Sequence, residues 1–158
     1  MNDDNELITW TDKLSCGIKL IDDQHKGLVN LVNEMFNHVT GNYVQECDYF
    51  NRVIHETVEY VRNHFATEEK ILLLTKFSGY SEHKKEHDNF VLAIIENSRS
   101  HEAGKRVILS NFTRFLKDWV LSHIALMDKQ YFDYLKRIAS RKENGKMSVT
   151  LRDVSNNR

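Results

Sequence analysis

The chain has 158 residues, 41% of them hydrophobic and 10% aromatic, which suits one domain with a substantial core. A formal net charge of −1 gives no electrostatic case for nucleic acid or an anionic membrane surface. No apolar run approaches the roughly 18 residues of a membrane helix, and the opening MNDDNELITW is acidic and polar, unlike a signal peptide, so a cytoplasmic protein is expected.

There is no proline and there are only six glycines, so little opposes long helices. Residues 1–20 read as an extended arm containing Trp10. A first helix is predicted from about Asp22 to Thr40, with Ile21, His25, Leu28, Val32, Met35 and Val39 on one stripe. The stretch Gly41 to Glu46 breaks it. A second helix is predicted from about Cys47 to Thr75, with the stripe Phe50, Ile54, Thr57, Val61, His64, Glu68 and Ile71. Lys76 to Gly79 reads as a turn with Gly79 as the breaker. The third helix is predicted from about Ser81 to Ser98, with His83, His87, Phe90 and Ile94 on its stripe, followed by a loop from Arg99 to Gly104. The fourth, from about Lys105 to Ala139, carries Phe112, Leu116, Trp119, His123 and Leu126 on one face. Short loops between amphipathic helices imply an all-α, antiparallel up-down-up-down four-helix bundle. The domain is expected over residues 1–142. Residues 143–158 read as a polar tail, at the end of a locally basic region that includes Lys136, Arg137, Arg141, Lys142, Lys146, Arg152 and Arg158.

Each predicted stripe contains an oddity. His25 interrupts the first, His64 and Glu68 the second, His83 and His87 the third, and His123 the fourth, where Asp128 follows at about 140° of helical rotation. Burying such groups without partners costs a few kcal/mol each. An i,i+4 pair places two side chains on one side of a helix, so His83 with His87 and His64 with Glu68 are ready-made clamps for a metal ion. Five imidazoles and two carboxylates exceed what one four-coordinate zinc can use. Two six-coordinate-type ions sharing two bridging carboxylates would use all seven. Three histidines, both carboxylates and a bridging oxygen close one ion. Two histidines and the same bridges leave the other an open position, where a small ligand such as O₂ can bind. The chain contains no Glu-x-x-His pair of the kind found in carboxylate-rich di-iron oxidases. A histidine-rich site favours the diferrous state, and so ligand binding over substrate oxidation.

The segments Gln24-His25, HFATEE from His64, HKKEH from His83 and HIALMD from His123, with the arm WTDKLSCGIKLIDDQH, resemble the hemerythrin family in order and spacing over about residues 10 to 135. The resemblance implies a non-haem di-iron centre that binds O₂ reversibly. It would place His25 and His64 on the open iron and His83, His87 and His123 on the closed one, with Glu68 and Asp128 bridging. Glu68, not Glu69, matches the family spacing. An apolar O₂ pocket would be formed by Leu28, Phe65, Trp119, Val120 and Ile124. Leucine is common in the family where Val120 stands, so a wider pocket is expected here.

The expected function is therefore oxygen carriage, storage or delivery without enzymatic turnover. The alternative is an O₂ or nitric oxide sensing module acting through a partner protein. A monomer is expected, with an oligomer as the alternative. His38, His55 and His101 are expected to be solvated. Cys16 and Cys47, a reduced pair distant in sequence, are given no role.

Overall fold

The computed structural model describes residues 6–143, so the expected tail lies, but for its first residue, outside the described part. Every regular element among the described residues is helical. A 3₁₀ turn at Asp12–Leu14 precedes α1 (Lys19–Asn37), α2 (Tyr43–Leu74), α3 (Tyr80–Glu102) and α4 (Leu109–Ser122). A π-helical turn, His123–Asp128, then joins α4 directly to α5 (Lys129–Glu143). The unit formed by α4, the π turn and α5 is the fourth rod of an antiparallel four-helix bundle, as expected. No described helix is long and apolar enough to cross a membrane.

The helices begin and end for local reasons. The Asn42 side chain caps α2 by accepting from the Gln45 N–H. At the other end of α2, Lys76 takes φ +56, and the N–H groups of Lys76 and Phe77 donate to the carbonyls of Leu73 and Leu72. This is a Schellman closure with lysine where glycine is usual. Gly79 therefore does not supply the left-handed residue. A Cβ there would come within 2.6 Å of the Phe77 ring, so its role is close packing. The third helix also runs further than expected, through Arg99–Glu102, and the fourth starts later, at Leu109.

The arm is tied down by Asn33, whose side chain pairs with both the N–H and the carbonyl of buried Ile8 at 2.8 Å. Further along, the Asp22 carboxylate gathers the N–H groups of Cys16 and Gly17 and the Ser15 hydroxyl ahead of the first full turn of α1. Cys16 is buried and free, and burial pushes its thiol up to about 12.

Two apolar clusters form the core. The larger contains Leu28, Val32, Met35, Phe50, Ile54, Val61, Phe65, Phe90, Ile94, Phe112, Leu116 and Val120. The smaller contains Cys16, Ile21, Ile71, Leu72, Tyr131 and Phe132. On α1, α2 and the fourth rod the polar stripe residues lie between members of the two, so a polar layer divides the core. One stripe reading and one reading of exposure are corrected. Leu126 is 64% exposed, because the π turn changes the helical register after His123. His38 and His101 are half-buried, not solvated: His38 stacks on Tyr49 and His101 packs edge-on to Phe50. Only His55 is exposed.

Candidate metal centre

All seven polar stripe residues converge in the dividing layer, none more than 3% exposed. α1 contributes His25, α2 His64 and Glu68, and α3 His83 and His87. The π turn contributes its first residue, His123, and its last, Asp128. In an α-helix a five-residue spacing leaves two side chains well apart in rotation. In a π turn, with i→i+5 bonding, they become neighbours one turn apart. The expected 140° separation is thereby corrected, and His123 Nε2 lies 3.1 Å from Asp128 Oδ1.

The two carboxylates divide their oxygens between two groups of imidazoles. Asp128 Oδ2 lies 3.2 Å from His25 Nε2, whereas Oδ1 lies 3.4 Å from His83 Nε2. Glu68 Oε1 lies 3.5 Å from His25 Nε2, whereas Oε2 lies 3.4 Å from His87 Nε2 and 3.5 Å from His83 Nε2. His64 Nε2 stands 3.9 Å from Glu68 Oε2. Donor atoms within 4.8 Å of one another fall into one set of Glu68, His83, His87, His123 and Asp128 and another of His25, His64 and Glu68. Glu69 is outside both sets.

The donor atoms fit cations. His25 Nδ1 and Nε2, Glu68 Oε2, His83 Nε2 and both Asp128 oxygens are buried without a hydrogen bond. The close His–carboxylate approaches are thus near in distance without being aligned on each other, as expected of lone pairs directed into a shared space. The tautomers agree with this. His87 Nδ1 lies 3.1 Å from Glu69 Oε1, and His64 Nδ1 lies 3.2 Å from Gln24 Oε1. Each bond requires the proton on Nδ1, which leaves a lone pair on Nε2 in the neutral ring. His87 Nε2 and His123 Nε2 face each other at 3.0 Å.

Electrostatics favour the neutral ring at His64 and His87 and the charged ring at His25. Burial lowers His64 to about 4, and it also lowers His87. Burial pushes His25 down too, but Asp128 and Glu68 more than reverse this and raise it to about 9. For Glu68 and Asp128, burial favours the neutral acid, yet the surrounding imidazoles outweigh it and both carboxyls are lowered.

Of the five residues expected at the pocket, Phe65 and Trp119 stack on imidazoles of this layer. Leu28, Phe65, Val120 and Ile124 belong to the larger apolar cluster, and half-buried Trp119 packs against it. Phe65 stacks on His87 with ring centroids 3.6 Å apart, and Trp119 stacks on His123 at 4.2 Å.

Sequence reasoning missed three supporting residues. Tyr131 is fully buried and donates its hydroxyl to Glu68 Oε1 at 2.6 Å. Its signal was its position three residues after Asp128, one turn further along the same rod. Gln24 and Glu69 each adjoin a ligand candidate in sequence and grip a histidine from outside. Gln24 is itself braced: its amide N–H₂ donates to Thr67 Oγ1, and the Tyr60 hydroxyl donates to its backbone carbonyl. Tyr60 can approach because residue 27 is glycine, where a Cβ would strike the Tyr60 hydroxyl.

Residues 16–135 match the model of the hemerythrin HHE cation binding domain. The chain is 30% identical over 127 residues to the bacteriohemerythrin of Methylococcus capsulatus, covering 79% of this chain and 94% of that protein. It is 31% identical to the bacteriohemerythrin of Stenotrophomonas maltophilia, covering 82% of each. A crystal structure of wild-type hemerythrin, 29% identical, superposes with a TM-score of 0.71 over 80% of this chain and 96% of that one.

Proposed function

The chain belongs to the hemerythrin family, whose centre is a non-haem di-iron site, and from this premise we propose that it binds O₂ reversibly as an oxygen carrier, store or delivery protein. The observation that carries the proposal is the division of oxygens by Glu68 and Asp128, each with one oxygen toward His25 and the other toward the His83 group, in a fully buried layer. We assign His25 and His64 to one ion, His83, His87 and His123 to the other, and Glu68 and Asp128 to both. With two histidines against three, the ion held by His25 and His64 would be the one able to take a small ligand.

Two iron ions held there would supply reversible electron transfer to O₂. The chain's own residues do the rest. Gln24 and Glu69 hold the Nδ1 protons of His64 and His87 and so keep the Nε2 lone pairs inward. Tyr131 fixes one oxygen of Glu68. Leu28, Phe65, Val120 and Ile124, with Trp119 at the edge, form an apolar wall that excludes water and the protons it would deliver. The five wall residues carry no acid or base, which supports binding in preference to turnover.

The test is an absorption spectrum of aerobically purified protein, recorded before and after anaerobic reduction and again after readmission of air. Bands that return over repeated cycles, with two irons per chain, are the expected result. Irreversible bleaching, or a single ion per chain after expression with ample iron, would overturn the proposal.

A further inference from the structure

Two of the histidines that adjoin Glu68 carry unlike partners on their outer nitrogens. His87 Nδ1–H donates to a carboxylate, Glu69 Oε1, at 3.1 Å. His64 Nδ1–H donates to an amide oxygen, Gln24 Oε1, at 3.2 Å. The Glu69 side chain is only 19% exposed, and its second oxygen lies 3.7 Å from the Lys84 ammonium, which is itself bound to Asp88 at 2.7 Å. Gln24 is anchored instead by neutral groups, Thr67 and Tyr60. The two contacts are alike in length and atom type and differ in formal charge.

An anionic acceptor on Nδ1–H draws the proton outward and increases electron density on Nε2, which makes the imidazole a stronger donor to a cation. A neutral amide does this more weakly. We infer that Glu69 and Gln24 set unequal strengths at the two ion positions, with Glu69 selectively tightening the one served by His87, so that the ions enter and leave in a fixed order. This rests on the ligand assignment above. Three histidines against two would also favour the His87 side. The contribution of the outer partners is therefore isolated only by changing them while all seven ligands stay in place.

Glu69→Gln removes the charge and keeps the shape. Gln24→Glu adds the charge on the opposite side, where Thr67 Oγ, which accepts from Gln24 and donates to the Asn63 carbonyl, turns its hydroxyl proton from Asn63 to residue 24. Both act on the ions only through a histidine. The experiment strips the full-length chain with a chelator and titrates it anaerobically with ferrous ion against a competing chromophoric chelator, resolving two binding constants. The wild type is expected to bind in two steps. Glu69→Gln should weaken the tighter step about 10- to 100-fold, the usual range for losing an outer partner, and leave the weaker step unchanged. Gln24→Glu should tighten the weaker step and leave the other unchanged. A merely structural role would shift both constants together and could not produce the gain in Gln24→Glu. If Glu69→Gln moves both steps equally or moves neither, the inference falls. Should that variant fail to fold, an unchanged weaker step in Gln24→Glu overturns it alone. A wild type that binds fewer than two ferrous ions would instead overturn the ligand assignment and, with it, this inference.

Discussion

Phe50, Ile94 and Phe112 fill one level of the bundle, while His25, Glu68, His83 and Asp128 fill another, and none of the seven is more than 3% exposed. The first level is self-sufficient. Its rings pack edge-to-face, as Phe50 does with Phe112 at 5.1 Å, and burial alone stabilises it. The second level contains six buried polar atoms with no hydrogen bond, on four residues, and would be a liability if nothing joined them. Equal burial thus conceals opposite energetics. One level stabilises the fold, whereas the other must be stabilised by what it holds.

The sharpest way to break this comparison is to remove one carboxylate. Glu68→Ala or Asp128→Ala takes a ligand from both ions at once, so both should be lost, whereas replacing one terminal histidine should leave partial occupancy. Phe112→Ala should do the reverse, costing about 3–5 kcal/mol in stability with two irons still bound per folded chain. Iron analysis and thermal melts on these four variants check this. Full iron content in Glu68→Ala would refute the bridging assignment.

Chelation tests the same contrast without a mutation. Binding free energy at such a site is also folding free energy, so verified apo protein should melt many degrees below the loaded form. The loss of amide protection should concentrate around His25, His64–Glu68, His83–His87 and His123–Asp128, and spare the Phe50–Phe112 level. An unchanged melting curve would show that the site contributes nothing to the fold.

How much of this the sequence revealed differs between the two levels. The stripe on α2 was legible in full: Phe50, Ile54, Thr57, Val61, His64, Glu68 and Ile71 are all buried, because an unbroken α-helix keeps one period. On the fourth rod the same logic failed after His123. The π turn has no compositional signal, and it moved Leu126 outward while it turned Asp128 toward His123. The mismatch was itself a clue, since a carboxylate five residues from a histidine cannot share its face in an α-helix. Gln24 and Glu69 were hidden for another reason. They sit off the stripes beside the ligand candidates, where a polar residue looks like ordinary surface. The Lys76 closure of α2 was also unreadable, because glycine three residues later was the more usual candidate.

A smaller effect is expected where the arm meets α1, next to the polar level. Burial works to raise the Asp22 carboxyl, but the Ser15 hydroxyl and the N–H groups of Cys16 and Gly17 outweigh it and lower it below 3.8. A folded-state value below the unfolded one means that the stabilisation is fully present above the unfolded value and is lost as pH falls through the folded one. Asp22→Asn should therefore lower the melting temperature at pH 7, with the difference from wild type shrinking below about pH 4. Melting curves from pH 7 to pH 3 read this out. A difference that persists in acid would show that the charge does not secure the arm.

The smallest change concerns Val120, where the two levels meet. It is 2% exposed in the larger apolar cluster and lies three residues before His123, one turn away on the same side. Val120→Leu adds one methylene, worth about 0.8 kcal/mol if it fills space and roughly 1–3 kcal/mol of overpacking if it does not. For ligand affinity the two effects oppose each other, since a fuller wall shields the bound ligand and also crowds it. For autoxidation they agree, because either outcome leaves less room for the water that delivers protons. Val120→Leu should therefore lengthen the half-life of the oxygenated form with iron content unchanged, as measured by decay of its absorption band in air at fixed pH. Equal or faster decay would mean that Val120 does not border the ligand space, and the wall would have to be reassigned to Leu28, Phe65, Trp119 and Ile124.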